Sequence, residues 1–169
     1  YKVRDGNIRL YKENILLKGF IKEIIEEMQP IAQKTNNTLE FIQQRDIRVY
    51  ADRIQLKRVI KNLIQNAISY GEPNFPIEVS IGEIPQYIVI KVKDYGAGIS
   101  KTDIDKIFNK YYSAAKKFRK IGTGLGLYLA LQIIKSHNGE LSVESEEGNF
   151  TEFTIKLPAV MNINLHYGE

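Results

Sequence analysis

The sequence predicts an α+β domain in which helices cover one face of a mixed, mostly antiparallel sheet. Two segments, 17–31 and 52–70, have apolar residues three and four positions apart, which is the pattern of amphipathic helices. Four later segments alternate apolar and polar residues, as half-buried strands do. Short connections between successive strands favour antiparallel pairing.

The composition is that of one ordinary soluble domain with a hydrophobic core. The chain has 169 residues, of which 43% are hydrophobic and 26% are charged. The absence of cysteine excludes disulfides, cysteine-ligated zinc, iron–sulfur clusters and a thiolate nucleophile. No apolar run approaches the roughly 20 residues that cross a bilayer, and no leader peptide is evident. Because the chain begins at Tyr1 without a methionine, we expect it to be a piece of a longer protein.

The first helix is expected over 17–31, with Pro30 kinking or ending it. Two short strands are expected over 39–42 and 47–50. A short helix is also expected near 102–108, ahead of a segment without a clear period.

The second helix carries the first candidate site residues. Asp52 occupies the N-cap position, and the helix should end near Tyr70 and Gly71. Asn62 and Asn66 lie one turn apart beside the apolar stripe, so both amides should be half-buried. Such amides need partners, which neighbouring backbone or a Mg²⁺ ion bridging to phosphates could supply.

A buried acid is expected after the hairpin formed by strands 77–81 and 88–92. Alternation places Asp94 on the core face, where a carboxylate without a donor is costly. Gly96 and Gly98 let backbone approach a ligand closely, so a flat heterocycle with an exocyclic amine would fit here. An Asp-capped turn between strand and loop is the alternative.

A second glycine-rich segment leads into a helix expected over 125–136, followed by strands 141–143 and 153–157. Backbone amides at a helix start attract phosphate, and glycines expose them. No Gly-Lys-Ser/Thr follows the segment, which excludes a Walker loop. No parallel strand–turn–helix unit surrounds it, which excludes a Rossmann dinucleotide-binding fingerprint. Its residues are Gly122, Thr123, Gly124, Leu125 and Gly126.

Positive charge is concentrated just before these glycines, in a chain whose net charge is only +4. A solvated loop, a nucleic-acid surface and a phosphate contact all remain open for this stretch. It contains no acid and five cations, namely Lys110, Lys116, Lys117, Arg119 and Lys120.

Four motifs follow one another along the chain, namely Asn62-Leu-Ile-Gln-Asn66-Ala, Asp94-Tyr-Gly-Ala-Gly98-Ile, Ile107-Phe108-Asn-Lys-Tyr111-Tyr112 and Gly122-Thr-Gly-Leu-Gly-Leu127. In this order they resemble the N, first glycine, phenylalanine and second glycine boxes of the catalytic ATP-binding domain of sensor histidine kinases. The likeness extends from about Leu17 to Pro158. It implies the Bergerat fold, a two-layer α/β sandwich with nucleotide held under a mobile lid, so we expect a domain over 1–158 and a tail over 159–169.

The resemblance implies ATP and Mg²⁺ as ligands and assigns roles by position. Asn66 would coordinate Mg²⁺, Asn62 would support the metal and phosphate end, and both would be catalytic. Asp94 would accept the adenine amino group. The other nucleotide-binding residues would be Tyr70, Gly96, Gly98, Ile99, Lys110, Tyr111, Gly122, Thr123, Gly124, Leu125, Gly126 and Leu127.

Two departures from the family pattern are visible. Ser69 stands where many members have a lysine that contacts phosphate, and Tyr111 replaces the second phenylalanine of its box. In the hydrolytic relatives a glutamate that activates water precedes the metal-binding asparagine by four positions. That position is Asn62 here, which favours phosphoryl transfer over hydrolysis.

The resemblance also implies partners that this chain lacks. Neither His137 nor His166 is expected to accept phosphate, so the acceptor histidine should lie on a separate dimerisation domain, and a response regulator receiver domain should take the phosphate onward. We expect this domain to be monomeric and cytoplasmic, without nucleic-acid or membrane contact. The full-length protein would be a homodimer, free or anchored in the inner or plasma membrane. The alternatives are a serine kinase resembling anti-sigma factors, a nucleotide-binding module without turnover, and a nucleic-acid binder.

Overall fold

The computed structural model describes residues 8–42, 45–110 and 126–160. Within these ranges the chain forms three α-helices, namely α1 (Leu17–Gln33), α2 (Arg53–Tyr70) and α3 (Gly126–Ser136). The same ranges contain seven strands, namely β1 (Lys12–Leu16), β2 (Thr38–Ile42), β3 (Arg48–Asp52), β4 (Pro76–Ile84), β5 (Tyr87–Asp94), β6 (Glu140–Glu146) and β7 (Phe150–Pro158). None of these helices has the length and apolar character that a membrane crossing requires.

Five of the strands form one mixed sheet in the order β2-β4-β5-β7-β6. Only the β2–β4 pair is parallel, and the other three pairs are antiparallel. Strands β4 and β5 form the expected hairpin, with Ile84 opposite Tyr87 and Gln86 at a φ of 71° in the turn. The mixed, mostly antiparallel sheet is therefore confirmed.

The helices form the second layer on one face of this sheet. Along β7, Thr151, Phe153, Ile155 and Leu157 are buried, and the residues between them are more exposed. The buried residues of all three helices join this sheet face in one continuous hydrophobic cluster. The predicted α+β, two-layer architecture is confirmed.

Strands β1 and β3 form a separate antiparallel pair that the sequence did not reveal. Ile15 lies opposite Val49, and both side chains are buried. The strand β1 was not predicted, because only one of its five residues, Ile15, is buried. A single buried position gives no alternation to read.

The alternative that Pro30 ends the first helix is wrong, and so is the helix expected over 102–108. Helix α1 continues through Pro30 to Gln33, because the fully buried Ala32 still packs on the core and Pro30 removes only one hydrogen-bond donor. The segment 102–108 forms successive turns, with Lys106 N donating to Asp103 O at 2.8 Å. The segment is too short to continue as a helix by itself, since helices of this length depend on packing for stability.

Candidate functional site

The C-terminal half of α2 presents polar side chains toward the space beyond β5. Asn62 and Asn66 are half-buried, as the helical periodicity predicted, and Tyr70 at the end of the helix is half-buried as well. Asn62 Nδ2 donates to the carbonyl of Gly126 at the start of α3. Asn66 makes no side-chain hydrogen bond to any residue in the described ranges, so its amide oxygen is available to a ligand.

Asp94, the last residue of β5, is a buried acid with few donors. It is only 5% exposed, and its Oδ1 accepts from Gly96 N at 3.0 Å. Burial raises the pKa of this carboxyl to about 7, and the Gly96 hydrogen bond opposes that rise only in part. A ligand that donates a hydrogen bond would therefore relieve an unfavourable state of this acid.

Two glycines allow the end of α2 to contact the loop after β5. A Cβ atom on Gly96 would overlap the carbonyl of Tyr70 and lie 2.6 Å from the Cα of Gly71. A Cβ atom on Gly71 would lie 3.3 Å from the Cβ of Asp94. This backbone contact places Asp94 directly beside the end of the helix that carries Asn66.

The next residues of the loop are fixed to the β6–β7 hairpin. Gly98 has a φ of 71°, and a Cβ atom there would overlap the backbone of Glu146. Ile99 N donates to Ser145 Oγ at 2.8 Å, and Ala97 O accepts from Gly148 N at 2.6 Å. The hairpin therefore holds the loop that follows Asp94.

The start of α3 forms the opposite side of the site. Leu127 is half-buried against the core, and Gly126 lies close to the Asn62 amide. Lys110 is exposed, with its Nζ 5.7 Å from the ring centroid of Tyr128 in the first turn of α3. The predicted site residues Tyr111, Gly122, Thr123, Gly124 and Leu125 and the cations Lys116, Lys117, Arg119 and Lys120 lie outside the described residues.

Comparison with known proteins identifies the family. Residues 51–161 match the model of the histidine kinase-, DNA gyrase B- and HSP90-like ATPases. The chain belongs to this family. It is 33% identical over 163 residues to the sensor histidine kinase WalK of Bacillus subtilis, and 34% identical over 161 residues to WalK of Staphylococcus epidermidis. Each match covers 93% of this chain but 26% of the relative, so the chain spans about a quarter of those proteins.

Solved structures agree with this assignment. The catalytic domain of the histidine kinase ThkA superimposes with a TM-score of 0.79 and 28% sequence identity, and the match covers 89% of this chain and 97% of ThkA's. The predicted resemblance to a histidine kinase catalytic domain is confirmed.

The geometry also bears on the departures from the family pattern. Ser69 accepts a hydrogen bond from Gln65 Nε2 at 3.2 Å, so its hydroxyl is directed along the helix surface.

His137 is 2% exposed, and its Nδ1 donates to Ile133 O while its Nε2 accepts from Asp52 N at 3.0 Å. Burial lowers the pKa of His137, which keeps the ring neutral. A buried ring with both nitrogens hydrogen-bonded is a structural histidine, whereas His166 lies outside the described residues.

The residues of this ATPase domain suit a metal ion that takes most of its ligands from water and from the phosphates of a nucleotide. No group of three or more His, Asp or Glu side chains in the described ranges could hold a metal alone. One free amide oxygen, on Asn66, fits Mg²⁺, which usually keeps several waters and takes its other ligands from phosphates. The buried Asp94 carboxylate fits an exocyclic amine such as that of adenine.

Several supporting residues were not recognised from sequence. Asn37 is 3% exposed, and its Nδ2 donates to Glu72 O and Phe75 O at 2.9 and 2.8 Å, which fixes the connection after α2. Ser145 anchors the loop that follows Asp94. Single polar residues in loops and strand ends carry no periodic pattern, so only the burial of Asn37 identifies it.

Proposed function

We propose that this chain binds Mg-ATP and donates the γ-phosphoryl group to a histidine on a separate dimerisation and phosphoacceptor domain. The observation that carries the proposal is the placement of the buried Asp94 carboxylate beside the end of α2, the helix that presents the amide of Asn66, which bonds to no side chain or backbone group among the described residues. One group suits the base of the nucleotide, and the other suits the metal on its phosphates.

Asp94 would select adenine. The carboxylate accepts from one backbone amide, and a second donor, the exocyclic amine, would stabilise its ionised form. Gly96 keeps the wall beside Asp94 free of side-chain atoms, and Tyr70 and Ile99 would border the base. Gly98 contributes by allowing the loop to pack on the β6–β7 turn.

Asn66 would provide the one protein ligand to Mg²⁺, and Asn62 lies one turn earlier on the same helix. Mg²⁺ bound there would neutralise charge that develops on the phosphates during transfer. Lys110, held near the start of α3, would add a positive charge close by. The glycines 122, 124 and 126, with Thr123, Leu125 and Tyr111, are proposed to surround the phosphates.

The residues favour transfer over hydrolysis. An asparagine at position 62 cannot remove a proton from water, and its amide already donates to Gly126 O. In the transfer step the bond from the γ-phosphorus to the bridging oxygen breaks, and ADP leaves with the electron pair. A phosphorus–nitrogen bond forms to the acceptor imidazole, which releases its proton.

The relatives suggest the partners, since the Bacillus subtilis protein is named a sensor histidine kinase and the Staphylococcus epidermidis protein a sensor protein kinase. We propose that the acceptor histidine belongs to the dimerisation domain of the same full-length protein, which would be a homodimer. A response regulator receiver domain would then take the phosphate. The domain by itself would be a cytoplasmic monomer.

Calorimetry with a non-hydrolysable ATP analogue, with and without Mg²⁺, tests the proposal. Asp94→Asn should weaken binding by about tenfold or more, because a hydrogen bond to a charged group is lost. Asn66→Ala should remove the dependence on Mg²⁺ and leave metal-free binding unchanged. The exposed residues Asp105 and Asn14 provide matched controls as Asp105→Asn and Asn14→Ala.

Absence of binding by the parent chain would refute the proposal and favour the nucleotide-binding module without turnover. Ser69→Lys, which introduces the lysine common in the family, would then be the first variant to test for a gain of binding. If binding holds, transfer from γ-labelled ATP to the phosphoacceptor domain of the full-length protein tests the second half. Label on a serine of a partner protein would instead indicate the serine kinase alternative.

A further inference from the structure

The contact between Asn62 and Gly126 joins two motifs that lie 64 positions apart in the sequence. The Nδ2 atom of Asn62 donates to the Gly126 carbonyl, so the middle of α2 is bonded to the first turn of α3. The two helices also pack on each other along the core. Both ends of the bond belong to motifs that the proposed function places around the phosphates.

The same contact leaves no space for a side chain at position 126. A Cβ atom there would lie 2.7 Å from Oδ1 and 2.9 Å from Nδ2 of Asn62. Such distances are below any normal contact, so the Asn62 side chain would have to swing away and its hydrogen bond would break. Gly126 has no positive φ, which removes backbone conformation as the reason for a glycine.

We propose that Asn62 is a positioning residue that sets the start of α3 relative to Asn66, and that position 126 requires glycine because of Asn62. In this account Asn62 contacts neither the metal nor the phosphates, and it acts on them through the placement of α3. This proposal rests on the proposed function for its effect on nucleotide binding, but the contact itself is independent of that function.

A double-mutant cycle without nucleotide tests the contact first. Gly126→Ala in the native background should leave the unfolding equilibrium unchanged or less favourable to the folded state, because the Asn62 hydrogen bond is lost. In an Asn62→Ala background the same substitution should favour the folded state by up to about fivefold, since alanine is the better helix former. The matched control pairs Gly126→Ala with Asn66→Ala, which lies one turn away and should be additive. Additive effects for the Asn62 pair would overturn the proposal.

A binding cycle with the ATP analogue then tests the positioning role. Asn62→Ala and Gly126→Ala should each weaken binding by about threefold to tenfold, the range for one hydrogen bond. The double variant should lose no more than either single one, and the loss should be the same with and without Mg²⁺. A loss confined to Mg²⁺ conditions, or one that adds to that of Gly126→Ala, would show direct contact and overturn the proposal.

Failure of the proposed function gives a different result. If the parent chain does not bind the analogue but the unfolding cycle shows coupling, the contact stands and the nucleotide assignment falls, together with the positioning role. If the parent binds and the unfolding cycle is additive, the nucleotide assignment stands and the proposed contact is wrong.

Discussion

Asp94 is the residue at which stability and proposed function conflict. The carboxyl is buried at 5% exposure with a single backbone donor, and its pKa is raised to about 7. The ionised form is therefore disfavoured in the folded domain relative to the unfolded chain. A site that keeps an acid buried beside one backbone donor lowers the stability of the free domain and retains binding energy for a ligand that supplies a second donor.

Asp94→Asn should stabilise the nucleotide-free domain. Because the folded pKa is above the unfolded value of 3.8, the folded domain binds more protons between pH 4 and 7, and Asp94 costs stability progressively as pH rises through that window. The variant should gain about 2 to 4 kcal/mol at pH 8 and little at pH 4. Urea unfolding at the two pH values measures the gain, with Asp105→Asn as the exposed control. An equal gain at both pH values would contradict the assignment.

Binding of the ATP analogue should weaken below pH 7. A ligand that needs the Asp94 carboxylate must displace its proton, so affinity falls by up to about tenfold per pH unit once that proton is bound. Calorimetry at pH 5.5 to 8 measures this trend. Asp94→Asn cannot titrate, so the pH dependence of its affinity reports the contribution of the phosphates alone. The same pH dependence of affinity in parent and variant would show that Asp94 does not face the ligand.

At the scale of elements, the site is built where two helices meet the ends of strands. Helix α2 begins at its Asp52 cap, where Oδ1 accepts from Gln55 N at 3.0 Å, and ends at Gly71 against the loop after β5. Helix α3 begins against Asn62. The tight contacts at both helix ends determine how far Asn66 lies from Asp94.

Gly96→Ala should damage both folding and binding. The added Cβ would overlap the Tyr70 carbonyl and the Cα of Gly71, and these are backbone atoms that cannot rotate away. We expect a loss of about 1 to 3 kcal/mol in the free energy of unfolding, as for other overpacked sites, and weakened analogue binding. Gly82→Ala is the matched control in a strand, because nothing lies within 4 Å of its Cβ position. Equal effects of the two substitutions on stability would show that the close contact is not important.

At the scale of the whole molecule, His137 joins parts that are distant in sequence. It follows α3, and its Nε2 accepts from Asp52 N at the point where β3 passes into α2. The Oδ2 of Asp52 in turn accepts from Tyr11 N at 2.9 Å, at the start of β1. One neutral imidazole thus connects α3 to the two-stranded sheet.

His137→Gln should reveal this connection through pH. Because the folded pKa of His137 is lowered, its stabilising contribution is complete above the unfolded value of 6.5 and is lost as pH falls below it. The variant should be about 1 to 2 kcal/mol less stable than the parent at pH 8, and the difference should shrink toward pH 5. Thermal unfolding across this range provides the measurement. A difference that does not change with pH would mean that the ring is not held neutral.

Much of the fold and site was predictable because it depends on local pattern. The asparagine pair on α2 followed from helical spacing, and the burial of Asp94 followed from strand alternation. The roles of Gly98 and Gly126 did not follow, because each glycine is required by a neighbour far along the chain. The continuation of α1 past Pro30 depended on the burial of Ala32 against the core. The proline alone predicted an end to the helix, because burial by distant elements is not visible in the local sequence.

The sequence by itself determined the three helices and the five strands of the main sheet, the burial of Asp94 and the family resemblance, since periodicity and short motifs are local properties of a chain. The tertiary structure alone decided the β1–β3 pair, the packing of Gly98 on the β6–β7 turn and the bond from Asn62 to Gly126. These contacts join residues 32 to 64 positions apart, and their identity depends on how closely separate elements approach once the core has formed.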